Sequence, residues 1–83
     1  MTVITDDEAK QNIANNIRIL LAERNWKQSD LASATGESEM RVSLAVRGRK
    51  LPSAAFLARI AEALNSTVDR LLSPMSNRDR QVG

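Results

Sequence analysis

The chain has 83 residues, 42% of them apolar and 27% charged, with no cysteine and no histidine. At that length roughly 60% of the open chain's surface can be buried, enough for one modest core and too little for two, and the composition offers neither disulfides nor the usual soft metal ligands. The net charge of +2 is unevenly spread: Asp6, Asp7 and Glu8 stand together near the start, residues 9–83 carry twelve basic against seven acidic groups, and the stretch from Arg41 to Lys50 holds four cations and no acid.

Trp26 and Phe56 are the only aromatics, while Ala, Leu, Ile, Arg, Glu and Asn dominate, which favours helices over strands. The first periodic segment places Ile13, Ile17, Leu20, Leu21 and Arg24 on one helical face and predicts α1 over about Glu8 to Arg24. Asn25 follows as a residue that tolerates the left-handed conformation, and Trp26 offers an apolar plug beyond the turn. Gln28 to about Thr35 reads as a short α2 burying Leu31, Ala32 and Thr35, stopped by Gly36. Ser38 is a good N-cap for α3, Glu39 to about Val46, with Val42, Ala45 and Val46 facing inward and Gly48 ending it. Pro52 and Ser53 form a stop and a cap before α4, whose stripe is Phe56, Leu57, Ile60, Ala61 and Leu64, and Asn65 closes it. Thr67 or Ser66 caps a last short helix α5, Val68 to Leu72, and Pro74 leads into a polar end. The organisation predicted is an N-terminal arm over 1–8, one all-α domain over 9–72 and a flexible polar tail over 73–83.

Nothing here approaches the roughly 20 apolar residues of a membrane span, and acids occupy the place where a secretory leader needs a basic start. A cytoplasmic protein is the expectation. Enzyme chemistry needs activated nucleophiles, shifted bases or cofactors, and the chain has no His, no Cys and no glycine-rich phosphate loop. The acids Asp6 to Glu8 are better explained as helix-start residues favouring the dipole than as paired catalytic carboxylates. No enzyme activity, metal, cofactor or small-molecule ligand is expected.

The informative pattern is a helix of about eight residues, a glycine turn and a second helix of similar length inside a small helical chain. WKQSDLASATGESEMRVSLAVRGRKLPS, followed by ALNSTVDRLL, resembles the phage lambda repressor and Cro type of helix-turn-helix family over about residues 13–72. The likeness is carried by Gln28, Leu31, Ala32, Gly36, Ser38, Val42 and Ser43 in the paired helices. Arg47, Gly48, Pro52 and Ser53 carry it in the loop, and Ala63, Leu64, Val68, Asp69, Leu71 and Leu72 at the end.

The resemblance implies a five-helix, lambda-repressor-like fold in which α3 enters the major groove of double-stranded DNA and α2 crosses above it. It implies that Gln28 binds phosphate and braces the start of α3, and that Lys27, Arg47, Arg49 and Lys50 contact the DNA backbone. For base contacts the candidates are Ser38, Glu39, Met40 and Ser43, then Leu44 and Arg41. Glu39 suits a cytosine amino group, Met40 and Leu44 suit thymine methyls, and Arg41 suits a guanine edge or a phosphate.

Several positions depart from the family pattern. Where relatives carry a buried arginine–glutamate pair this chain has Leu21 and Val46, a paired loss that predicts an apolar contact between them. Glu37 stands at a commonly apolar turn position, Ala45 at a commonly large one, and Lys27 where a capping residue is usual, so the start of α2 is expected to fray. Arg70 stands where relatives often carry an aromatic near a dimer contact. The function implied is a homodimeric, sequence-specific transcriptional regulator, a compact Cro-like repressor of phage, prophage or plasmid type, acting in a bacterial cytoplasm or phage-infected cell on a palindromic operator. The alternative is an antitoxin or other protein-interaction module on the same fold, with the tail as its instrument.

Overall fold

The computed structural model describes residues 4–74, which form α1 Asp6–Arg24, α2 Gln28–Thr35, α3 Glu39–Val46, α4 Ala54–Ala63 and α5 Val68–Leu72, with no strand among them. The boundaries of α2, α3 and α5 are those predicted. Helix α1 begins two residues before the predicted Glu8, because Thr5 caps it. The Thr5 hydroxyl accepts the Glu8 backbone N–H at 3.1 Å and the Glu8 carboxylate accepts the Thr5 N–H at 2.9 Å. This reciprocal box satisfies two donors the helix would otherwise leave open, and it makes Asp6, Asp7 and Glu8 the first turn of α1 rather than part of an arm. The remainder of the predicted tail, 75–83, lies outside the described residues.

Helices α3, α4 and α5 start on Ser38, Ser53 and Thr67, each accepting the backbone N–H three residues on. The start of α2 has a different device. Lys27 has no acceptor in its side chain, but Asp30 reaches back and its carboxylate accepts the Lys27 N–H at 2.8 Å, so half of a capping box replaces the expected frayed turn. The four longer helices stop on residues with positive φ: Asn25 at 58°, Gly36 at 77°, Gly48 at 70° and Asn65 at 53°. After α1, α3 and α4 the left-handed residue closes paired backbone bonds onto the preceding turn, as when Gly48 N–H meets the Ala45 carbonyl and Arg49 N–H that of Leu44.

Helix α1 lies against α3 and α5, α2 against α3 and α4, and α4 against α5. Between them sits one core of Ile13, Ile17, Leu20, Leu21, Leu31, Val42, Val46, Phe56, Leu57, Ile60, Leu64 and Leu71, with Trp26 partly buried against it. The apolar stripes predicted for the helices are buried; Arg24, placed on the α1 face by periodicity, is only half-buried. Leu21 and Val46 both belong to this core and both line one groove.

A buried polar clamp holds α5. Asn16, 1% exposed, donates from its side-chain amide to the carbonyls of Leu71 at 2.9 Å and Ser73 at 2.8 Å, and Asn12 donates to Leu72 at 3.0 Å. Three carbonyls at the end of α5 thus gain donors from α1, the satisfaction that buried backbone requires. Among the described residues no helix is long and apolar enough to cross a membrane.

Candidate nucleic-acid interface

Helix α3 is fixed from behind and bare in front. Val42 is fully buried and Ala45 and Val46 nearly so, because α1 and α2 both close over that side. On the other side Ser38, Glu39, Met40 and Arg41 are exposed, with Ser43 and Leu44 half-buried beside them. Met40 is 73% exposed, the largest value among the exposed large hydrophobic residues that are described. A thioether chain left in water at the tip of a rigid helix contributes nothing to the core, which suits it to an apolar contact such as a thymine methyl. The six base-contact candidates are therefore brought onto one short surface, although Ser38 already spends its hydroxyl oxygen as acceptor for the Arg41 N–H at 3.2 Å.

The turn between α2 and α3 holds the least expected feature. Glu37, whose side chain is only 14% exposed, makes ion pairs with two arginines: Arg41 of α3 at 3.3 Å and Arg59 of α4. The Arg41 guanidinium also lies over the Phe56 ring, 5.8 Å from its centroid, within the range of a cation–π contact. The charged residue at a commonly apolar position thus has its charge answered from both neighbouring helices.

Beyond α3, Arg47, Arg49 and Lys50 are all exposed. Gly48 sets their direction: a Cβ there would stand 2.9 Å from the Gln11 Nε2 and 3.5 Å from the Ala14 Cβ, so the loop turns tightly against α1. The end of α3 has a second anchor that the sequence reading did not single out. Arg18 donates from Nε to the Val46 carbonyl at 3.0 Å and from a terminal nitrogen to the Asn15 side chain at 3.3 Å. A cation at a helix C-terminus is favoured by the dipole and satisfies an orphan carbonyl. Arg18 thereby anchors α3 to α1 one turn before Leu21, where the family's buried pair is missing. The general preference for cations at helix ends was the available signal, but only tertiary placement brings residue 18 to residue 46.

The expected brace from Gln28 to the start of α3 is not formed. Its side chain makes no hydrogen bond to the described residues; Gln28 lines a groove with Arg18, Trp26, Lys27, Val46 and Arg47. With its amide unengaged beside Arg18, Lys27 and Arg47, and no acid lining the groove, the position suits an anion by long-range attraction.

Two eight-residue helices joined through a glycine turn, the second bare along one side and followed by a basic loop, define a helix-turn-helix domain. A helix-turn-helix family model, HTH_3, matches residues 17–71. The chain belongs to that family, the lambda repressor and Cro type that its sequence resembles. Among solved structures it is similar to a hypothetical transcription factor, NHTF, from Neisseria, with 23% identity and a TM-score of 0.82 over 98% of this chain and 93% of that one. It is also similar to an HTH_3 family transcriptional regulator from Vibrio cholerae, with 28% identity and a TM-score of 0.75 over 94% of this chain. The match spans 42% of the Vibrio chain. No match is found among curated proteins.

Proposed function

We propose that the protein is a transcriptional regulator that binds double-stranded DNA in a sequence-specific manner, as a compact Cro-like repressor of phage, prophage or plasmid type working in the bacterial cytoplasm. Helix α3 lies in the major groove, where Glu39, Met40, Ser43 and Leu44, with Ser38 at the helix start, face base edges. Arg41 flanks that surface. Lys27, Gln28, Arg47, Arg49 and Lys50 meet the sugar–phosphate backbone and set the register without reading sequence. A homodimer presents two copies of α3 about 34 Å apart to an approximate palindrome.

The observation that carries this reading is the surface of α3: buttressed behind by Val42, Ala45 and Val46, exposed in front, and continued by three exposed cations. Met40, 73% exposed, adds an apolar tip near the start of that helix, and the basic loop stands at its other end. Similarity to proteins described as transcription factors supports the same assignment.

Selection of random duplexes on the purified protein is the test. Enrichment of a two-fold motif with half-sites about ten base pairs apart is expected, with affinity falling steeply between about 50 and 200 mM salt. No enrichment, together with salt-independent or absent duplex binding, overturns the reading.

A further inference from the structure

The ion pairs around Glu37 leave Arg41 in an unusual state for a cation on a helix that faces DNA. Its guanidinium is tied to the Glu37 carboxylate at 3.3 Å and laid over Phe56. Glu37 itself is held from the far side by Arg59 of α4. With its side chain only 14% exposed, against 55% for that of Arg41, Glu37 is the fixed member and Arg41 the captured one. A long flexible arginine in this position would otherwise sweep a wide arc in front of α3 and find phosphates on any sequence, because phosphate contacts carry no base information.

We propose that Glu37 is a specificity-determining positioning residue: it holds Arg41 against Phe56, off the DNA backbone, so that α3 presents its uncharged tips and Glu39 to the bases. This rests on the reading of α3 as a DNA-facing helix. It goes beyond that reading in assigning the turn carboxylate the task of suppressing non-specific affinity. Arg59 supports it by fixing the second carboxylate oxygen from α4. The arrangement neutralises one of the cations nearest the reading surface while leaving those of the loop, Arg47, Arg49 and Lys50, free for the backbone.

The test is a set of three variants, Glu37→Gln, Arg41→Met and the double variant, on the full chain, each checked for folding by thermal melting. Binding is measured to a random-sequence duplex and to the best selected site across 50–200 mM salt. Glu37→Gln releases Arg41, so random-duplex affinity at low salt should rise about fivefold, the salt slope should steepen by about one unit, and the ratio of specific to random binding should fall. In the Arg41→Met background the same Glu37→Gln change should do nearly nothing, and Arg41→Met alone should leave the slope unaltered.

A gain from Glu37→Gln that persists without Arg41 means simple removal of a repelling charge, or release of Arg59, and overturns the proposal. So does a loss of site preference in Arg41→Met alone, which would make Arg41 a reader. A measurement without DNA separates this inference from the function itself: the Arg41 δ-protons should show a ring-current shift from Phe56 that collapses in Glu37→Gln. Absence of that shift in the parent protein sinks the capture even if DNA binds. Its presence with no duplex binding leaves the capture standing while the DNA-binding reading fails, and with it the role in specificity.

Discussion

Gly36 and Gly48 both turn the chain with positive φ, but their surroundings differ, and that difference decides what a methyl group costs. At Gly36, with φ of 77°, an added Cβ meets nothing within 4 Å, so Gly36→Ala carries only the backbone penalty, about 1 kcal/mol. At Gly48 the Cβ also presses on the flexible end of Gln11, and Gly48→Ala should lower the denaturant midpoint somewhat further while tilting the basic loop away from α1. Equal losses in the two variants would mean that Gly48 makes no close approach in solution. Asn16 is a different case, because its amide is buried and serves two carbonyls of the α5 end. Removing it in Asn16→Ala leaves buried acceptors unanswered and should cost about 2 kcal/mol, seen in urea unfolding, with backbone amides of α5 losing hydrogen-exchange protection first.

At the scale of elements, the join between α1 and the end of α3 distinguishes this chain within its family pattern. Leu21 and Val46 both belong to the core and line one groove, and Arg18 reaches the Val46 carbonyl from one turn earlier. Leu21→Arg alone should cost about 3–5 kcal/mol, since a buried charge would have no partner, and adding Val46→Glu should recover part of it. Thermal melting of the two single variants and the double variant checks the coupling, and strict additivity would place the two side chains apart. Arg18→Met should cost about 1 kcal/mol through the lost bond to the α3 terminus.

The boundaries of α2, α3 and α5 were legible because each carries a local mark: Gly36 after α2, Ser38 before α3, Thr67 before α5. The start of α1 was equally marked, since Thr5-x-x-Glu8 is a capping box, but reading from the first periodic apolar residue passed over it. Interactions such as Asn16 with Leu71, Arg59 with Glu37 and Arg18 with Val46 join residues 22 to 55 positions apart. No period or cap announces them, because only packing decides which polar side chain arrives at which carbonyl or carboxylate. The same limit applies to Gln28, whose family role predicts a brace at the start of α3 while the residue lines the groove with Arg18 and Arg47.

For the whole molecule, the proposed division of labour between α3 and the loop gives two substitutions that should fail in different ways. Arg47→Ala should weaken binding to all duplexes and flatten the salt slope by about one unit, whereas Met40→Ala should change which site is preferred and leave the slope alone. The reverse pattern would exchange the roles of helix and loop. Both expectations depend on a single placement: the face of α3 that carries Glu39, Met40, Ser43 and Leu44 touches DNA. Titrating the isotopically labelled protein with a short duplex at low salt, and following every backbone amide, tests that placement most directly. The account predicts that the largest shifts map to residues 38–44 and 47–50, with the α5 end and the first turn of α1 nearly silent. Shifts concentrated on α5 and the outer side of α1, with residues 38–44 unmoved, would contradict it.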